Sequence, residues 1–516
     1  MADALETNLF HQNPSNEDPN DNRKTREKIF ETHTEELIIV LCGPIGTDIH
    51  FVAERIAFLT QEHYAYKVVP IRLSGFIKQL TKSTDFATIV DKNEYYHRLI
   101  EAGNKLREKH GNSILAEMAI NEIAYNRETD KEAKGNSEFK SSRTCYIIDS
   151  IKNQEELELL RLIYSDVIYF LSIFSPVEFR GKYLEDQGLT KDQVHKLFHR
   201  DSGEEANFGQ KVSDTFMQAD FFVRIDKSTA QTIDNKLLRL LNIIFKSEVV
   251  TPSYQETAMY LATAAAGNSA CLSRQVGASI TDEKGEVLSV GWNDVPRAGG
   301  GVYQYSEKDP LGQNDNRCMN LKGGMCFNDD EKRSIGEQLA DELIELKLVD
   351  KANRSQLISS IRKSRIKELI EFSRAVHAEM LALISASQKA GERVINGKLF
   401  CTTYPCHNCA RHIIAAGIKE VYYIEPYRKS LALKLHDDSI SEDESKISLV
   451  RILMYDGVAP RRYLEFFKML PNSRKIDGKK ISEPRKTSIP KSTISLQAIP
   501  ILEKKVTKGL KSKQLI

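Results

Sequence analysis

Tryptophan occurs once in these 516 residues, cysteine only eight times, and neither sign of charge prevails, with 73 lysines and arginines against 72 aspartates and glutamates. The charge balance excludes a global field that would dictate a nucleic-acid or membrane partner. Eight cysteines over this length are too sparse for a disulfide scaffold, and in a reducing compartment those that cluster serve metal ligation or catalysis. No run approaches 18 uninterrupted apolar residues, and the polar start MADALETNLFHQNPSNEDPNDNRK lacks the basic-then-apolar order of a secretory signal. A cytoplasmic protein is expected. What is present is ordinary globular material, 41% hydrophobic and 28% charged, too long for one core and suited to two domains with tails.

Residues 1–34 hold few apolar side chains and predict a disordered arm. ELIIVLCG at 36–43 then predicts a strand ending in a glycine loop, and FVAERIAFL after it has helical spacing. CYIIDS at 145–150, the amphipathic NQEELELLRLIYS and VIYFLSIF at 167–174 continue the alternation of strand and helix, which implies α/β architecture and a parallel sheet covered on both faces over residues 35–248. The pattern restarts at 249 with a helix opened by Thr-Pro, the strands VGASITDE and EVLSVGWN, an insertion over about 298–370, a helix 373–389, strand KLFCTTY, helix 406–416 and strand KEVYYIEP. Twelve basic against three acidic residues from 471 onward predict a basic flexible tail over 469–516.

TTYPCHNCA, residues 402–410, contains the pair Cys406-x-x-Cys409, whose spacing suits either a redox couple or half of a metal site. Upstream, His377-Ala378-Glu379 opens a predicted helix. One imidazole and two thiolates, His377, Cys406 and Cys409, are three ligands for tetrahedral Zn2+ with a fourth position left for water, as in catalytic zinc sites. Glu379 lies too near His377 along the helix to serve as a ligand, but it can point into the same pocket and move protons. His-x-Glu, then Pro-Cys-x-x-Cys roughly 25 residues later, is the signature of zinc deaminases of nucleobases and nucleotides. His407 inside the pair reads as an exposed or supporting histidine, because a fourth protein ligand would close the site.

SRQVGASI, GWNDVPRAGG, HAEM and TTYPCHNCARHIIAAGIKEVYY resemble the deoxycytidylate deaminase branch over about residues 252–465, implying a cytidine deaminase-like α/β/α sandwich. By that resemblance Asn293 contacts the nucleotide, and Arg274 and Arg297 are candidate phosphate partners if they are not surface charges. Tyr427, after the strand KEVYYIEP, is either a base-pocket residue or a core or interface tyrosine. Leu381 stands where the family usually has asparagine, and Asp294 where it usually has glycine. Some relatives carry a second, structural zinc, and Cys271, Cys318 and Cys326 occupy the corresponding segments without a visible fourth ligand.

LIIVLCGPIGTDIHF aligns with a phosphate loop through Gly43, Gly46 and Thr47, but Asp48, Ile49 and His50 replace the glycine, lysine and hydroxyl that phosphoryl transfer needs. Beyond the loop, Gly103, Arg107, Asp149, Arg180, Arg200 and Asp201 resemble positions of P-loop nucleotide kinases. Three readings remain open: a scaffold, a regulatory domain that binds a nucleotide or a partner, and an active kinase. A degenerate P-loop kinase-like domain fused to a deoxycytidylate deaminase domain resembles the bacterial anti-phage dCTP/dCMP deaminases. The resemblance implies a homo-oligomer that deaminates deoxycytidine nucleotides in defence, with an inhibitory small RNA in some relatives. The alternatives are a polynucleotide deaminase of RNA or DNA, a housekeeping dCMP deaminase and a non-catalytic nucleotide-binding regulator.

Overall fold

A computed structural model describes residues 32–81, 86–135, 141–201, 212–226, 229–310, 312–426, 430–468, 475–480, 484–490, 496 and 498–516, the side chains of 201 and 213 excepted. The arm expected over residues 1–34 falls almost wholly outside them. Among the described residues, no helix is long and apolar enough to cross a membrane.

Five parallel strands build the first sheet: β1 (Leu37–Cys42), β2 (Lys67–Arg72), β3 (Thr144–Asp149), β4 (Ile168–Phe174) and β5 (Phe221–Arg224), in the order β5-β4-β1-β3-β2. β1 and β3 are buried at every position and read as continuous apolar runs because helices cover both faces. Two expected strands thus gain neighbours that composition did not mark. β2 carries Pro70 and lies at the edge, where proline is tolerated, while β5 is four residues long.

The second sheet contains β6 (Gly277–Thr281), β7 (Val287–Trp292), β8 (Lys398–Thr403), β9 (Glu420–Glu425), β10 (Ile440–Ser441) and β11 (Val450–Met454), in the order β10-β11-β9-β8-β6-β7. β6 runs antiparallel to β7 and β8, and the remainder is parallel. The helix Ala378–Ala390 lies on β7 so closely that a Cβ on Gly291 would come within 2.4 Å of the Ala382 nitrogen. Glycine at 291 therefore fixes the depth at which this helix, which carries the site's first motif, meets the sheet.

The two halves are joined more intimately than a boundary at 248/249 suggests. The short strand β12 (Gly457–Val458) follows the second domain yet pairs antiparallel with β5, Gly457 opposite Phe222, and closes the edge of the first sheet. The tail corrects a sequence expectation. Ile499–Ser512 is a helix packed on the first domain, with Ile499, Glu503 and Leu510 buried. Its lysines dominate composition, but its apolar positions recur at helical spacing and supply the burial that offsets ordering. The insertion likewise has structure, two helices, Phe327–Glu345 and Arg354–Lys363, packed on each other.

Candidate functional site

Two helices begin at one point of the second sheet. His377 is the N-cap of Ala378–Ala390, held in place by the backbone bond from the Val376 nitrogen to the Asp294 carbonyl at 2.9 Å. Cys406 is the N-cap of His407–Ala415, and its Sγ accepts from the Cys409 nitrogen at 3.4 Å. Helix N-termini favour anionic groups, so Cys406, at the N-cap, sits where a thiolate is stabilised.

The His377 Nδ1 atom lies 3.3 Å from both Cys406 Sγ and Cys409 Sγ. Tetrahedral zinc with ordinary bond lengths would separate an imidazole nitrogen from a thiolate sulfur by about 3.6 Å, so the donors need only a slight outward shift. Among the described residues these three form the one His/Cys/Asp/Glu group whose ligand atoms all fall within 4.8 Å of one another. The Cys406 thiol is held down to about 4, first by its hydrogen bond with Cys409 and also by the His377 imidazole, despite opposing burial. The His377 imidazole is pushed up to about 9, chiefly by its hydrogen bond with Cys406. The Cys409 thiol is pushed up, first by its hydrogen bond with Cys406 and then by burial, so binding a cation would release protons from His377 and Cys409. Residues 252–425 match the cytidine and deoxycytidylate deaminase zinc-binding region.

The match gives the donor set its cofactor, Zn2+, which His377, Cys406 and Cys409 would hold. Among curated proteins, the chain is 45% identical over 56 residues to ComE operon protein 2 of Bacillus subtilis, covering 11% of this chain and 29% of that one. It is 26% identical over 206 residues to the deoxycytidylate deaminase of Saccharomyces cerevisiae, 38% of this chain and 47% of that enzyme. The deoxycytidylate deaminase of Enterobacteria phage T4 is 26% identical over 174 residues, 34% of this chain and 79% of the phage protein. The chain thus spans less than half the length of the first two of these relatives.

Glu379 lies beside the cluster, 4% exposed, and burial raises its carboxyl above the usual carboxylate range. It lines a cavity of about 280 Å³ together with His377, Cys406, Arg274, Asn293, Thr403 and Tyr404. The structure therefore brings the four motif residues into one place. It treats the expected substrate contacts unequally. The Asn293 carboxamide is engaged by the backbone, Oδ1 accepting from the Val276 nitrogen at 2.7 Å and Nδ2 donating to the Arg274 carbonyl at 2.9 Å. It shapes the wall rather than offering both polar atoms to a ligand. Arg274 lines the cavity and pairs with Glu425 at 3.2 Å.

Arg297 does not line the cavity. The bridge between Pro296 and Val302 turns the glycine-rich loop outward, and the Arg297 Nε donates to the Gly300 carbonyl at 3.3 Å. Tyr427 lies outside the described residues. Asp294, where glycine was expected, is a buried loop organiser, accepting from the nitrogens of Ala270 at 3.0 Å and Val295 at 2.8 Å. His407 faces Glu371, with Nε2 3.4 Å from its carboxylate, and stays out of the donor group.

Among the described residues, no second group of metal donors is brought together. Cys271, Cys318 and Cys326 share a neighbourhood, each partly exposed, with Cys326 Sγ 3.6 Å from the Ser273 hydroxyl, but they do not converge within ligand distance. Sequence reading also missed Tyr404 and the insertion residues Asn328, Asp329, Lys332, Lys367 and Ile370, all in the cavity wall. Tyr404 had a usable signal, since it directly precedes Pro405-Cys406.

In the first domain, Gly43 to Thr47 forms the loop after β1, and Gly46 has φ +83° with Arg180 backbone within 2.8 Å of any added Cβ. Asp48, which stands in place of the phosphate-loop glycine, is the N-cap of Ile49–Tyr64, accepting from the Phe51 nitrogen at 3.0 Å. Of the kinase-like positions, Arg107 forms a buried pair with Glu156 at 2.8 Å, Asp149 pairs with His50, and Arg200 meets His97 Nδ1 at 2.9 Å. The Asp201 side chain lies outside the described residues.

Proposed function

We propose that this protein deaminates deoxycytidine nucleotides, dCTP or dCMP, to deoxyuridine nucleotides. The observation that carries the reading is a buried carboxyl, Glu379, in the same cavity as a His/Cys/Cys donor set suited to zinc. When bound, zinc supplies the Lewis acidity that makes water a nucleophile near neutral pH. Glu379 takes a proton from the water that attacks C4 of the cytosine, then delivers protons to N3 and to the departing amine. The C4–O bond forms, the C4–N bond breaks and ammonia leaves. Burial suits Glu379 to this work, because a carboxyl with raised affinity can hold a proton between the two transfers.

The same reading assigns the first domain to control rather than phosphoryl transfer. Its loop has no lysine at the catalytic position, and two other cations attend the loop backbone. Lys152 Nζ donates to the Gly43 carbonyl at 2.7 Å, and Arg180 Nη1 to the Ile45 carbonyl at 3.2 Å. Arg180 also acts on Glu442, which neighbours the Tyr404 hydroxyl of the deaminase cavity. A nucleotide or partner that moves Arg180 would thereby reach the cavity wall. Depletion of deoxycytidine nucleotides as anti-phage defence is the biological role that this pairing of domains implies. The polynucleotide alternative loses the C-terminal end of its basic tail as a free arm, because the helix Ile499–Ser512 is docked and Lys513 after it donates to Glu117 at 2.8 Å.

Incubating the zinc-loaded full chain with cytidine and deoxycytidine nucleotides, a deoxycytidine oligonucleotide and an adenosine oligonucleotide tests the reading by ammonia release and product mass. Conversion of dCTP or dCMP is expected. Turnover of an oligonucleotide alone would overturn it.

A further inference from the structure

The charged insertion forms the outer wall of the cavity that holds Glu379. Lys332, from the helix Phe327–Glu345, and Lys367, from the segment after Arg354–Lys363, both line it. Two bonds lock these segments together: Asn328 Nδ2 donates to the Leu369 carbonyl at 3.2 Å, and Lys332 Nζ to the Lys367 carbonyl at 3.1 Å. An ammonium has three donors, so one bond orients Lys332 and leaves the others for a ligand.

Some of the insertion's outward charges are paired. Arg354 Nε meets Asp341 at 2.6 Å, and Arg333 Nη2 meets Asp330 at 2.5 Å. Its two lysines in the cavity wall, among the described residues, are in no ion pair, and Asp329, the carboxylate this segment adds to the same wall, is bound to neither. Uncompensated ammonium groups beside a substrate cavity favour an anionic ligand. Burial orders the cavity from end to end. Glu379 is at its inner end, while Lys332 is half-buried and Lys367 exposed at its mouth. With the base against buried Glu379, a phosphate chain that runs toward the exposed part of the lining would approach Arg274 and, if long enough, the lysines.

We infer that Lys332 and Lys367 form a subsite for the distal phosphates of a nucleoside triphosphate, so that the insertion makes dCTP a better substrate than dCMP. This inference rests on the deaminase reading of the same cavity. The test compares the zinc-loaded full chain with the Lys332→Ala/Lys367→Ala and Lys332→Arg/Lys367→Arg double variants, measuring kinetics and equilibrium binding of both nucleotides. For the alanine pair, kcat/KM with dCTP is expected to fall about tenfold or more, through KM, since exposed charge-assisted contacts are being removed. With dCMP it should change by less than about threefold, and the arginine pair should retain the dCTP preference.

Equal losses on both nucleotides, or none on either, would overturn the subsite while leaving deamination standing. If the parent deaminates neither nucleotide, the deaminase reading fails and binding alone decides the subsite. In that case dCTP affinity equal in parent and alanine pair overturns it, and a selective loss of dCTP affinity supports it.

Discussion

Arg127 and Glu503 are 376 positions apart in the chain and bonded to each other in the interior, where Arg127 also holds Glu36 at 2.6 Å and Glu503 accepts from the Tyr164 hydroxyl at 2.8 Å. The pair ties the C-terminal helix to the first domain. Removing Glu503 leaves Arg127 paired with Glu36 alone and the Tyr164 hydroxyl without its acceptor, a cost below the roughly 3 kcal/mol of a wholly uncompensated buried charge. Glu503→Ala should therefore lower the thermal unfolding midpoint of the full chain by several degrees and expose Arg127. An unchanged midpoint would show that the helix does not brace the domain.

Glu379→Gln removes the carboxyl proposed to move protons and none of the candidate metal donors. Its zinc content and unfolding midpoint should match the parent, while ammonia release falls by about 10²-fold or more. Loss of zinc along with activity, measured by metal analysis, would assign Glu379 to the metal instead.

Cys406→Ser acts on the ion and the fold together, because the same sulfur caps a helix and belongs to the donor set. Zinc content should drop and the unfolding midpoint fall, and a chelator should lower the midpoint of the parent in the same direction. Full zinc retention in the serine variant would remove Cys406 from the site.

His50 gives the first domain a pH-dependent term. Its hydrogen bond with Asp149 raises the imidazole above 6.5, with Asp48 acting in the same direction and burial and Arg72 opposing. The folded chain binds this proton more tightly than the unfolded one, so the contribution is complete below about 6.5 and fades as pH rises through the higher folded value. Half of the side chain is exposed, which keeps the effect small. His50→Gln should cost more stability at pH 6 than at pH 9. A deficit independent of pH would show that the pair contributes only by shape.

The purified chain should transfer no phosphate from ATP to deoxynucleoside monophosphates, because Ile49 stands at the lysine position and Asp48 is occupied as a helix cap. Radiolabelled product above background would refute this. Deleting residues 1–245 should change control of deamination rather than its chemistry. An insoluble fragment would favour the scaffold reading, with β12 and the C-terminal helix losing their partners.

The metal-site candidates were legible in the sequence because zinc chemistry demands particular residue types at close spacing, and His377-x-Glu379 with Cys406-x-x-Cys409 meets that demand locally. The strands β1, β3 and β4 were legible too, since strands buried on both faces must be apolar throughout. Tertiary structure alone decided what depends on distant contacts. The Lys-rich end became a packed helix because Glu503 finds Arg127. Arg297 left the cavity because Pro296 bridges Val302, and Lys332 and Lys367 entered its wall because two insertion helices fold back over it. Local sequence carries backbone preference and chemical type, whereas the face a charge turns toward is set by the partners that folding brings to it.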